Sequence, residues 1–210
     1  MITKQLIVYL LACMGLLACS ASSVTIEGKD GINRQKEYYL YGCQAGSLIP
    51  IAYALIDSNG CFRLNVPLPQ EGFYLLGTEQ GVMHPFYLKG NETIRLRFQT
   101  NGMILEGEQT PENQALSQWE QAATLVREHA FLYERFGGGY STDPATFTQE
   151  LEDLLRVRQQ LKPEKATGNA TFNSLLKAKM EADVDFYALA YLQRNAGNLS
   201  DTIRLSRSEE

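Results

Sequence analysis

The residues able to do chemistry in this chain are few and scattered. Cysteine occurs at positions 13, 19, 43 and 61, and histidine at 84 and 129. A thiol becomes a nucleophile, a metal ligand or half of a disulfide only beside a base, a cation or a second thiol. His84 and His129 have neither the i, i+4 spacing nor the cysteine partners of a zinc site, so both read as structural. Gly137-Gly138-Gly139 lacks the Lys-Ser/Thr that follows a phosphate loop and the strand that precedes one, and reads as a helix connector. No Gly-x-Ser-x-Gly elbow occurs. Glu150 and Glu152-Asp153 are acid/base candidates by type, but they fall on the solvent face of an expected helix, where carboxylates are simply hydrated. No catalytic residue, metal ligand or cofactor is expected from these positions.

Cys19 has the most informative surroundings. Lys4 supplies a positive start, Leu6 to Leu17 is an apolar run too short to span a bilayer, and Leu16-Leu17-Ala18-Cys19 is followed by Ser20, Ala21, Ser22 and Ser23. This arrangement resembles the lipobox of bacterial lipoproteins. The resemblance implies a signal peptide over residues 1–18, cleavage after Ala18 and a diacylglycerol on the Cys19 thiol. At roughly 0.8 kcal/mol per buried methylene, two or three acyl chains hold a protein on a membrane. Ser20 is not the aspartate associated with inner-membrane retention. The expected location is therefore the cell envelope, lipid-anchored, on the outer membrane and facing the periplasm.

Cys13 would leave with the signal, so Cys43 and Cys61 remain in an oxidising compartment. Alternation along the strands expected around them turns both thiols outward, and both could share one sheet face. Three states stay open: a structural disulfide, two free thiols or a redox-active pair. The two are not a Cys-x-x-Cys motif, and only Arg63 offers nearby positive charge. Tyr39 and Tyr41 also share a face by alternation, and aromatic rings on a sheet can stack a sugar or a peptide. Cross-strand packing explains them equally well.

The elements that position these residues fall into two halves, so the expected class is α+β: an antiparallel β-sandwich followed by a three-helix segment. A lipidated tether over residues 19–23 leads into a β domain over 24–108, a helical domain over 109–196 and a flexible tail over 197–210. Strands are expected at Val24–Gly28, Lys36–Cys43, Ile49–Asp57, Cys61–Leu68, Phe73–Thr78, Val82–Lys89, Thr93–Gln99 and Met103–Glu106. Asp57-Ser58-Asn59-Gly60 reads as a hairpin turn, with Lys89-Gly90-Asn91-Glu92 as another. Pro85 consigns its strand to an edge or a bulge.

Thr110 caps a first helix with Pro111 at its first position, and Leu116, Trp119, Ala123, Val126, Ala130 and Tyr133 form its apolar stripe. Thr142 or Asp143, with Pro144, opens a second, with Phe147, Leu151, Leu154, Leu155 and Val157 inward. A third spans about Ala170 to Arg194, with Phe172, Leu175, Leu176, Met180, Phe186, Tyr187 and Tyr191 as its apolar set.

Composition limits the functions open to such a chain. Its 210 residues carry 19 basic and 24 acidic side chains, a net charge of −5. Loss of residues 1–18 removes Lys4 and no acid, leaving 18 against 24, or −6. That sign, with no basic cluster as an exception, argues against nucleic acid.

Val24-Thr25-Ile26-Glu27-Gly28, Tyr38-Tyr39-Leu40-Tyr41, Ile56-Asp57-Ser58-Asn59-Gly60-Cys61-Phe62, Pro85-Phe86-Tyr87-Leu88-Lys89-Gly90-Asn91 and Leu105-Glu106-Gly107 together resemble an uncharacterised β domain. In bacterial lipoprotein thiol-disulfide oxidoreductases of the thioredoxin-like or peroxiredoxin-related type, that domain and a helical segment precede the catalytic one. The resemblance covers residues 24 to 195 or so. The Trp-Cys-x-x-Cys of the catalytic domain has no counterpart here, so no catalytic residue carries over. The readings are a non-catalytic accessory or binding module with the membrane and a periplasmic protein as partners, the N-terminal part of such an oxidoreductase, or a sugar- or peptide-binding lipoprotein using Tyr39 and Tyr41.

Overall fold

The computed structural model describes residues 22–31, 35–44, 46–78, 83–99, 102–136 and 143–207, without the side chains of 102, 132–136 and 196–207. The expected signal peptide, Cys19 and Gly137–Gly139 lie outside the described residues. The chain divides into two compact units, Met1–Gly107 and Glu108–Glu210.

Among the described residues the first unit holds eight strands: β1 (Ser23–Asp30), β2 (Glu37–Gln44), β3 (Ser47–Leu55), β4 (Cys61–Pro67), β5 (Gly72–Gly77), β6 (His84–Leu88), β7 (Glu92–Gln99) and β8 (Gly102–Glu106). They form two four-stranded sheets, ordered β4-β1-β7-β8 and β3-β2-β5-β6. Alternation drives one face of β1, β4 and β7 inward, whereas β6 is buried on both faces over residues 86–88 and β3 stays largely exposed. Val24 and Ile26, Phe62, Leu64 and Val66, and Ile94, Leu96 and Phe98 come from the first sheet. Tyr38 and Leu40, Tyr74 and Leu76, and Phe86 and Leu88 come from the second. Each such side chain, taken fully from water, contributes about 1.5–3 kcal/mol.

Two features differ from the expected antiparallel sandwich. The pairing of β1 with β7 is parallel, with Ile26 opposite Ile94. Parallel neighbours need a long crossover, and the whole of β2–β6 supplies it. The two expected hairpin turns also do not join neighbours: β3 and β4 belong to different sheets, as do β6 and β7. Turn residues dictate that the chain reverses; they do not dictate which sheet receives it. At the first turn Asp57 Oδ1 accepts from the backbone of Asn59 and Cys61, both at 2.8 Å, and Gly60 takes φ +78°.

Pro85 lies on β6, an edge strand as expected. Pro50 lies on the opposite edge, β3, beside a bulge: Leu40 faces Ala52 and Tyr41 faces Pro50, leaving Ile51 without a partner across the strand.

The second unit contains α1 (Pro111–Phe136), α2 (Pro144–Leu161), a short 3-10 turn (Pro163–Lys165) and α3 (Ala170–Arg207). Thr110 Oγ1 accepts from the Asn113 backbone at 3.3 Å, and Asp143 Oδ1 accepts from Ala145 and Thr146 at 3.0 and 3.1 Å. Asn169 Oδ1 accepts from Phe172 at 3.0 Å. Each satisfies amides that a helix start otherwise leaves bare. Helix α2 ends at Lys162 in the left-handed region, immediately before Pro163.

Leu116, Trp119, Ala123, Val126 and Ala130 are buried, together with Phe147 and Leu154 and with Phe172, Leu176, Met180, Tyr187 and Tyr191. The Phe147 ring stacks on Tyr191 at 3.9 Å. Leu151, Leu155 and Val157 keep partial exposure. Leu175 and Phe186, expected inside, are 38% and 60% exposed. Helix α3 is apolar on two sides, and one helix face packs inward at a time. It also runs through Gly197 to Arg207 rather than ending near Arg194; a single internal glycine costs only about 1 kcal/mol.

Candidate functional site

Cys43 and Cys61 are both exposed and both free. Cys43 is the last residue but one of β2 in one sheet and Cys61 begins β4 in the other, so they do not share the sheet face expected for them. Strand pairing decides this, because β4 joins β1 rather than β2.

Tyr39 and Tyr41 do share a face, with ring centroids 6.0 Å apart. Tyr41 is only 9% exposed and Tyr39 half-buried, whereas Tyr53, opposite Tyr39 on β3, is 64% exposed. The accessible aromatic of this trio is the one that sequence reading passed over.

His84 is half-buried, its ring 5.4 Å from that of Phe98 at the end of the sandwich core. His129 is more specifically placed. Its Nδ1 lies 2.7 Å from Glu150 Oε2, tying α1 to α2. Glu150 therefore sits against a neighbouring helix rather than on a fully hydrated face. Arg194 Nη1 donates to the carbonyls of His129 and Ala130 at 2.7 and 3.1 Å and brings α3 to the same place.

A second polar group within the helices has no sequence signature. Lys179 Nζ lies 2.7 Å from Asp183 Oδ2 and 2.9 Å from Glu120 Oε1, and Arg127 Nη1 lies 2.7 Å from Glu120 Oε2. Trp119 Nε1 donates to Asp183 Oδ2 at 2.7 Å. Burial pushes the Glu120 carboxyl up, but Lys179 and Arg127 outweigh burial and hold it below the ordinary glutamate value. Burial and then the Asp183 charge raise the Tyr187 hydroxyl. Two anions meet two cations, so the charges balance and each carboxylate is engaged by a cation. The cluster is a clamp between α1 and α3.

Inside the sandwich, Asp30 is 2% exposed at the end of β1. Burial, then the Asp30 charge and a hydrogen bond to it, push the Tyr38 hydroxyl well above the ordinary tyrosine value. That ring stacks between Phe62 and Phe98, at 4.6 and 4.4 Å.

The outer face of sheet β4-β1-β7-β8 is charged and largely self-neutralised. Glu27 bridges Arg63 at 3.3 Å and Arg95 at 3.1 Å, and Arg97 meets Glu106 at 2.6 Å. These exposed pairs contribute little to stability. Glu27, Arg63, Arg95 and Glu106 line a shallow depression of about 520 Å³ together with Leu55 and Cys61.

Strand β3 is the contrasting surface. Ser47–Leu55 carries no charged residue, and Leu48, Ile49, Ile51, Tyr53 and Leu55 are 39–67% exposed. A run this apolar reads as a buried strand. Pro50 within it was the signal for an edge.

Among the described residues no three acidic, cysteine or histidine side chains gather as a metal site, and no helix is long and apolar enough to cross a membrane. No family model, curated protein or solved structure matches this chain.

Proposed function

We propose that the mature chain is a lipid-anchored envelope module that works by protein–protein contact, held through Cys19 on the outer membrane and presenting its β unit to a periplasmic partner. The observation that carries this reading is β3, an uncharged edge strand with five large apolar side chains open to water. Natural sheets protect such edges with charge, proline or bulges. Here Pro50 and the bulge at Ile51 break the strand in its middle and leave Ala52–Leu55 as a short open stretch. An extended, apolar segment of the partner would pair with that stretch as an added strand, gaining main-chain hydrogen bonds along the edge and side-chain burial against Tyr53 and Leu55. The lipobox and the resemblance to a domain that accompanies thioredoxin-like enzymes support an accessory role.

The test is a photo-crosslinking residue at position 53 in the cellular protein, with one at position 93 on the charged sheet as its control. A discrete envelope protein trapped at 53, lost on Leu55→Lys and absent at 93, is expected. Equal trapping at both positions, or turnover of insulin disulfides or peroxide by the purified chain, overturns the reading. A Cys19→Ser change is expected to release the protein from the membrane fraction.

A further inference from the structure

Helix α3 carries a second apolar stripe opposite the face it buries. Leu175, Ala178, Ala182, Phe186 and Leu189 follow at steps of three, four, four and three residues, one line along an α-helix. All five are exposed, Leu175 by 38%, Phe186 by 60% and Leu189 by 57%. Phe131 of α1, 36% exposed, lies beside the line with its ring 5.1 Å from Phe186. Together these side chains offer on the order of 500 Å² of apolar surface, at the upper end of what a monomer leaves to water.

We propose that this stripe is the contact between two copies of the chain, α3 lying antiparallel to α3 of the second copy across a two-fold axis at Ala182. The spacing is palindromic about that residue. A two-fold there sets Ala182 against its own copy, Phe186 over the partner's Ala178, and Leu175 beside the partner's Leu189. Large side chains then meet small ones, and the alanines let the helices approach closely. An isologous interface demands this self-complementarity, in which residue i meets j and j meets i. An unrelated partner or a lipid surface does not. The apolar area, with a polar border added, approaches the roughly 800 Å² per partner of a standard stable interface. The inference is independent of what β3 binds.

The experiment uses the full chain in its own membrane, with Cys43 and Cys61 changed to serine. An Ala182→Cys substitution places two thiols at the axis, and a disulfide-linked species of doubled mass is expected on a non-reducing gel. Lys177→Cys, on the exposed far side of the same helix, is expected to stay single. Adding Phe186→Asp to Ala182→Cys should abolish the link while leaving the circular dichroism unchanged. In the detergent-solubilised protein the same change should weaken self-association by roughly thirtyfold or more, the loss typical of a hot-spot residue. No link at 182, or equal linking at 177, overturns the proposal. So does a fluorophore at 182 that responds to phosphatidylglycerol vesicles in a chain that stays single, which assigns the stripe to lipid.

Discussion

The indole N–H of Trp119 donates to the Asp183 carboxylate at 2.7 Å, joining two helices through residues 64 positions apart. Asp183 also receives Lys179, and Lys179 in turn reaches Glu120. One carboxylate therefore orients the largest core side chain of the helical unit and anchors a charge cluster.

Replacing Asp183 with alanine is expected to strip Trp119 of its acceptor and leave Lys179 leaning on Glu120 alone. A lost hydrogen bond to a charged group costs about 1.5–3 kcal/mol. The check is direct, because Trp119 is the sole tryptophan: denaturant unfolding followed by its fluorescence reads this unit, and an unmoved midpoint would show the contact to be energetically idle.

The Glu120 carboxyl sits below its ordinary value of 4.5 in the folded chain because Lys179 and Arg127 overcome the effect of burial. A depressed acid contributes stability that is complete above its unfolded value and fades as pH falls through the folded one. The helical unit should lose stability progressively below about pH 4.5. Glu120→Gln should be weaker at neutral pH yet flatter across the acid range. Parallel pH profiles for the two proteins would remove Glu120 from the account.

Gly28 faces inward opposite Phe62, and a Cβ there would overlap the Phe62 ring. Gly28→Ala should destabilise the sandwich by about 1–3 kcal/mol, the usual range for overpacking. Phe62→Leu added to it should return part of the loss. Thermal melts followed by far-ultraviolet circular dichroism, comparing both single variants with the double, decide whether the two sites are coupled.

In the processed and lipidated form proposed above, Cys43 and Cys61 should both react with a maleimide in the folded protein without denaturant or reductant, adding two labels by mass. A product that takes up label only after reduction would mean that the two are bridged.

Much of the architecture was legible because alternation and capping are local. Thr93–Phe98 announces a half-buried strand within six residues, and Thr110-Pro111 and Asp143-Pro144 announce helix starts through amides they satisfy themselves. Which strand lies beside which was not legible: nothing in Val24–Gly28 states that it pairs in parallel with β7. The same gap hid β3: its apolar run fits a sheet centre, and only Pro50 within it pointed to an edge. Leu175 and Phe186 misled because periodicity shows that a helix has an apolar side without showing how many sides are covered. The Glu120–Lys179–Asp183 group joins residues from two helices, so only their packing reveals it.

The position of β1 bears on how the molecule is made. It lies between β4 and β7, although it is the first of the described strands in N-to-C order. Its two rows of backbone groups stay bare until Cys61–Pro67 and then Glu92–Gln99 have been delivered. A chain halted part-way therefore holds an open central ribbon that any passing strand can capture. Yield of the finished protein should depend on how quickly the later strands arrive and on what shields the first one meanwhile.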